Sequence, residues 1–420
     1  MPIAESRLRN ADYAMIAAVM GLMGAFFWAI RGTGGFGGEQ GGILAGLGWA
    51  ILWYGFSRLD GAERFRPYGH AGAIAAIAFG IAFGGFTGYG VYNGWVKGEF
   101  YLDHPDGIRE VGAWTGYAML FICGLHWGGI PGAFLAWCAP KRPLRWHGWA
   151  GRIAAGIAGA VLAGVVVRVF PQWFLPFYGE GIYQVKENAT CIRAVNSIRN
   201  IAPHVGLFLG FLAFEIARKD WRAVGVMLVM GLGFAIPFSA GGYWHTMYRT
   251  GIPIGWWKNW EMTIGLGGGL AFGLAFYLFN RPLRETPKPL NPGRQIAAAG
   301  IPIVIGLAQI LMGGYEGFRR LHKLDIAELP DLSALLVLGG MLLVSLAAIP
   351  LSRKMPAENA KPIPAWPMFG IIGLIIVIGF AISIPPQLAL SNKVLLTCYT
   401  VYVIGSAILI TLLLLRHAKT

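Results

Sequence analysis

Long apolar stretches separated by short polar ones divide this chain from end to end. The apolar runs are of membrane-crossing length, about 17–25 residues, and lack every-other-residue alternation, so they predict helices and not the strands of a barrel. They cover Tyr13–Ile30, Gly35–Phe56, Ala71–Tyr92, Val111–Cys138, Ile153–Phe174, Ile201–Ala217 and Ala223–Ala240. Beyond these lie Glu261–Phe279, Ile296–Gly314, Leu332–Ile349, Pro367–Ile384 and Val394–Leu415. The expected fold is all-α: a polytopic membrane bundle of about twelve transmembrane helices, in a single domain over residues 1–420.

Composition agrees with lipid as the main solvent, since 56% of the 420 residues are hydrophobic and 13% are charged. A soluble chain of this size needs more polar surface. The first run is followed almost at once by a second, so no cleavable signal is expected. The net charge of +14 reads as a topology signal. If both termini are cytoplasmic, 21 of the 34 basic residues fall on the inner side, as the positive-inside rule requires. Nucleic-acid binding is then unnecessary to explain the charge, and an inner (bacterial cell) membrane is the expected location. The four cysteines show no CxxC spacing, so neither a disulfide framework nor a metal site is indicated. No cofactor is expected.

Glycine accounts for 62 residues, much of it spaced by four inside the runs, as in Gly38/Gly42/Gly46, Gly80/Gly84/Gly88 and Gly265/Gly269/Gly273. Small residues one turn apart let helix backbones approach closely. Arg168 follows Gly164 by four residues, Glu261 precedes Gly265 by four and Glu39 precedes Gly42 by three, so all three side chains are expected to face the protein interior. Gly267–Arg284 and Gly128–Arg145 agree at eight of eighteen positions, including a closing Arg-Pro-Leu-Arg. A true repeat would give two six-helix halves, 1–219 and 220–420, an arrangement common among secondary transporters; compositional coincidence is the competing explanation.

The segments expected on the outer side carry the chemistry. Gly241–Glu261 mixes Trp244, His245, Tyr248, Arg249, Trp256, Trp257, Trp260 and Glu261. An interfacial aromatic belt explains part of this, whereas a lining for a sugar-like or ring-bearing ligand explains the interleaved polar groups. Arg31–Gly42 contains GxGxxG, but a membrane helix precedes it, so a nucleotide site is rejected. A flexible turn or an unwound, ligand-coordinating stretch remains, with Arg31 and Glu39 as its candidates. Thr87-Gly88-Tyr89-Gly90 lacks the aliphatic residue and the pore helix of a channel filter. His126, His204 and His245 stand near outer ends without any local metal-ligand spacing.

These residues point first to a secondary transporter with an outward aromatic and polar cavity for a small polar solute, such as a sugar or sugar acid. Arg31, Glu39, His126, Arg168 and the Gly241–Glu261 residues named above are its candidate binding set, because intramembrane charge is costly unless used. Whether the chain is an enzyme stays open. The alternative is a membrane-embedded transferase or hydrolase acting on a carbohydrate or lipid-linked substrate through the histidines. A structural subunit of a membrane complex is the third reading.

Overall fold

The computed structural model of the protein describes residues 8–33, 38–85, 87–103, 106–283, 289–321, 333–384 and 389–417, with Glu39 among those described by backbone alone. These residues form thirteen α-helices and one β-hairpin. In chain order they are α1 (Asn10–Ile30), α2 (Gly38–Phe56), α3 (Gly72–Gly84), α4 (Tyr92–Val96), β1 (Glu99–Asp103), β2 (Asp106–Glu110), α5 (Ala113–Cys138) and α6 (Trp146–Val169). There follow α7 (Ala189–Ala217), α8 (Trp221–Ala240), α9 (Trp256–Phe279), α10 (Pro292–Leu321), α11 (Ser333–Lys354), α12 (Trp366–Ser383) and α13 (Leu390–His417).

Among the described residues, ten helices, α1 and α5 to α13, are long and apolar enough to cross a membrane. The chain is therefore an integral, multi-pass helical membrane protein, because only internally hydrogen-bonded segments of that length satisfy their backbone in lipid. Each of the twelve expected spans contains a helix, but neither α2, in the expected span Gly35–Phe56, nor α3 is among the ten, so twelve crossings are not shown. Ala71–Tyr92 is not one continuous span. Its helix α3 stops at Gly84 after 13 residues, and only the five-residue α4 follows. A run this apolar gives no hydropathic cue to the break. The cue is local: Gly84, Gly85, Gly88 and Gly90 weaken the helix, and the Thr87 hydroxyl donates to the Gly84 carbonyl oxygen at 2.8 Å.

The bundle is sewn together by glycine seams. Along the α1–α9 contact, a Cβ on Gly24 would overlap the Gly265 carbonyl oxygen, and one on Gly265 would overlap the Gly24 carbonyl oxygen. A Cβ on Gly269 would strike the Met20 carbonyl and one on Gly273 the Ala17 backbone. The stripe read from Gly265, Gly269 and Gly273 is thus a helix–helix face. Gly124 and Gly128 do the same between α5 and α8, and Gly159, Gly206 and Gly210 between α6 and α7. Backbone contact of this kind replaces the hydrophobic effect, which cannot distinguish a neighbouring helix from lipid.

The reading of Arg168 is corrected. It is exposed on the last turn of α6, and a Cβ on Gly164 would meet nothing within 4 Å among the described residues. The face of α6 that meets α7 carries Arg152, Gly156 and Gly159. At 100° per residue, Arg168 lies about 160° around the helix from Arg152. A long cationic side chain near a helix end reaches the interface by extending along the apolar surface.

Polar ties close the end of the bundle where α1 begins. Arg152 and Glu215 are fully buried between α6 and α7, with Nη2 to Oε1 at 2.6 Å, and Arg218 bonds the second carboxylate oxygen at 2.9 Å. Asn280, after α9, accepts from the Tyr68 amide at 2.9 Å and donates to the Ser57 hydroxyl at 3.0 Å. The Arg416 guanidinium of α13 meets Asp12 of α1 at 3.1 Å. We refer to this as the basic end and to its opposite, holding Arg31 and residues 241–261, as the aromatic end.

Candidate functional site

At the aromatic end, the interrupted α3–α4 segment brings non-helical backbone into the protein interior. Thr87 and Tyr89 are buried. Backbone off the helical path at this depth is tolerated only where protein or a cavity surrounds it. Tyr89 presents its hydroxyl to Arg31, which donates to it through Nη2. Arg31 caps α1 and is 5% exposed. Its guanidinium carbon lies 4.4 Å from the Trp28 ring centre, 5.0 Å from Trp127 and 5.8 Å from Tyr89. Aromatic faces attract a cation most strongly when water is excluded. Among the described residues no carboxylate pairs directly with this guanidinium, and its Nε and the Trp28 Nε1 have no hydrogen-bond partner.

Glu261 stands at the same junction. It is buried in the first turns of α9, accepting from Lys258 Nζ at 2.5 Å and from Trp257 Nε1 at 3.1 Å. Lys258 also donates to the Ala29 carbonyl at 2.8 Å, which ties α9 to the end of α1. The carboxylate lies against Gly32, next in the chain to Arg31, where a Cβ would sit 2.7 Å from Oε1. Arg31 and Glu261 are therefore brought together, with the partly exposed Lys258 bonded to Glu261. A cavity of about 220 Å³ opens beside Lys258, bordered by Thr33, Asn259, Ser383, Ser391 and Asn392. The side chain of Glu39 lies outside the described residues.

The remaining aromatic candidates mostly satisfy one another. Trp260 is fully buried against Tyr89, Phe238 and His245, and its Nε1 donates to the Phe238 carbonyl at 2.9 Å. Trp244 and Trp256 stack at 5.8 Å, with Trp244 Nε1 on the Thr263 hydroxyl at 2.9 Å. His245 lies between Tyr248, Trp257 and Trp260, with Nε2 unbonded among the described residues. Tyr248 is exposed. Arg249 turns away from Arg31 and bonds the Lys97 carbonyl and Glu99. Arg168, on the outer face of α6, stands apart from the group.

His126 is buried on α5, its Nε2 3.0 Å from the Thr87 hydroxyl, and its ring centre is 5.5 Å from that of His204. His245 packs instead among the residue 248–260 aromatics. Among the described residues no group of three or more His, Cys, Asp or Glu side chains is placed to hold a metal ion. Trp28 and Trp127 were not singled out in the sequence, whereas Lys258 lies inside the Gly241–Glu261 segment and Tyr89 inside Thr87–Gly90. The glycine cluster around Thr87 was the signal available for Tyr89; nothing local marks Trp28 or Trp127.

Over this end lies the β1–β2 hairpin, in antiparallel register with Glu99 opposite Glu110. Arg109 clamps Glu180 at 2.5 and 3.0 Å, and Asp103 accepts from the Thr190 amide at 2.7 Å. Burial raises the pKa of Glu99, but hydrogen bonds from Lys97 and Tyr101 outweigh it and hold the carboxyl below its ordinary 4.5. The Arg109 hydrogen bonds do the same for Glu180. Depressed folded-state values stabilise the hairpin above the unfolded pKa, and that contribution is lost as pH falls through the folded values. We expect hydrogen exchange in residues 99–110, corrected for intrinsic rates, to stay constant from neutral pH down to about 4.5 and rise below it. A rise already near neutral pH would show that other groups hold the hairpin.

No protein-family model matches the chain, and no curated protein and no solved structure matches it either.

Proposed function

We propose that this protein is a secondary transporter for a small polar solute carrying an anionic group, of the sugar-acid class. The observation behind this is Arg31: a buried guanidinium, ringed by aromatic faces, against non-helical backbone, with donor capacity unused among the described residues. Interrupted helices at buried charges are where transporters of several folds bind their cargo. In this reading Lys258 receives the anion at the 220 Å³ cavity, and Arg31 binds it as Lys258 returns to Glu261. Trp28 and Trp127 hold the guanidinium in place. Glu261 is the candidate proton or cation carrier, with Glu39 as its counterpart.

The basic end is cytoplasmic in this proposal, with both termini there and the protein in a bacterial inner membrane, on the strength of the basic surplus. The halves 1–219 and 220–420 remain part of it on the Arg-Pro-Leu-Arg match alone. The test is uptake into proteoliposomes of a radiolabelled hexuronate and of the matching neutral hexose. Accumulation of the hexuronate well above that of the hexose is expected. Equal uptake of both, or none of either, rejects an anionic cargo.

A second reading, a membrane-embedded hydrolase or transferase, draws on the His126–Thr87 contact and the neighbouring His204. Turnover of a lipid-linked sugar without net transport would favour it over the first.

A further inference from the structure

At the basic end, the arginines that mark topology in the sequence converge instead of pointing separately into water. Arg58, Arg64 and Arg66 from the segment after α2, and Arg222 from the first turn of α8, line one cavity of about 90 Å³. Each is fixed from behind by backbone carbonyls. Arg58 donates to Tyr54 at 2.9 Å and Gly69 at 3.3 Å, Arg64 to Ala360 at 2.5 Å, Arg66 to Asn280 at 2.6 Å and Arg222 to Ala139 at 2.7 Å. Carbonyls orient a guanidinium without cancelling its charge.

Carboxylates do not balance the group. Asp60 pairs with Arg66 at 2.8 Å, and Glu63 is the one acidic side chain among the described residues lining the cavity. Among the described residues, four arginines thus meet two carboxylates. Arg66 is 3% exposed, and the Nε atoms of Arg58, Arg66 and Arg222 have no hydrogen-bond partner among the described residues. Those Nε atoms are sealed from the cavity, but Arg58 Nη2 and Arg222 Nη1 also make no hydrogen bond among the described residues, so donors remain for an acceptor in the cavity. The acceptor that answers several planar guanidinium edges at once is tetrahedral, multiply charged and rich in oxygen.

We propose that this cavity binds a phosphate group, carried by an anionic lipid headgroup or by a soluble phosphate. The site is independent of the Arg31 junction, so it stands or falls apart from the transport proposal. The experiment uses the full-length protein, stripped of lipid in a neutral detergent. Thermal unfolding is followed with added inorganic phosphate, with sodium chloride of equal ionic strength, and in nanodiscs of phosphatidylglycerol or of phosphatidylcholine.

Stabilisation by inorganic phosphate over chloride identifies a soluble phosphate as ligand. Stabilisation only by phosphatidylglycerol over phosphatidylcholine identifies a headgroup. In either case Arg58→Gln and Arg222→Gln should weaken binding about tenfold, and Arg222→Lys, which keeps charge but loses the planar fork, should fall between. If Arg58→Gln does not fold, Arg222→Gln decides the matter. No stabilisation by either ligand, or full stabilisation of the Arg222→Gln protein, overturns the proposal.

Discussion

Replacing Glu215 with Leu is expected to lower stability by about 3–5 kcal/mol, the cost of stranding a buried charge whose partner has been removed. The stranded group is Arg152, fully buried and bonded to Glu215 through Nε at 2.7 Å. The Trp149 and Trp137 rings, 4.4 and 4.7 Å from its guanidinium carbon, soften this but offer no anion. Arg218, the second donor to Glu215, retains access to water and tolerates the loss. The diagnostic companion is the double variant Arg152→Met/Glu215→Leu. Removing both charges together should restore most of the lost stability, because desolvation of the pair offsets much of its attraction. Thermal unfolding of the purified variants makes the comparison. A single Glu215→Leu variant that unfolds with the wild type would mean that Arg152 has another acceptor.

Arg31→Gln is expected to leave the folded protein intact and to weaken the apparent affinity for an anionic solute about 10- to 150-fold, as a lost hydrogen bond to a charged group of about 1.5–3 kcal/mol requires. Stability should hold or rise, since the variant removes a buried cation with no direct carboxylate partner among the described residues. Arg31→Lys should also fail, because an ammonium cannot stack between Trp28 and Trp127 or present a planar fork. Uptake into proteoliposomes, alongside thermal unfolding, separates function from folding. Wild-type transport by Arg31→Gln would reduce the cage to a packing device.

The helical framework was legible because membrane length and glycine spacing are local properties. Gly265, Gly269 and Gly273 announced their seam one turn at a time, and Glu261 could be placed inside from the same phase. Arg168 shows the limit of that logic. A single glycine four residues away does not define a face, and the true face, through Arg152, Gly156 and Gly159, needs knowledge of where α7 lies. The break after Gly84 was hidden for another reason. Hydropathy measures transfer to lipid, and a glycine-rich interruption transfers almost as well as a helix when protein surrounds it. The cage around Arg31 and the cavity of Arg58, Arg66 and Arg222 are assembled from segments far apart in sequence, and no periodicity records such meetings.

The seam between α1 and α9 also sets a timetable. Gly265 is synthesised 241 residues after Gly24, an interval of about 10–50 s at ordinary elongation rates. Through that time the first helix has Trp49 of α2 against Gly24 but lacks the backbone that will close its glycine face. Its final partner arrives only after α5 and α8 have had the opportunity to pair. This backbone-to-backbone closure is thus a late event of biogenesis, and a chain arrested before α9 would keep the Trp49 and Trp127 contacts of its first span but lack the backbone partner of Gly24.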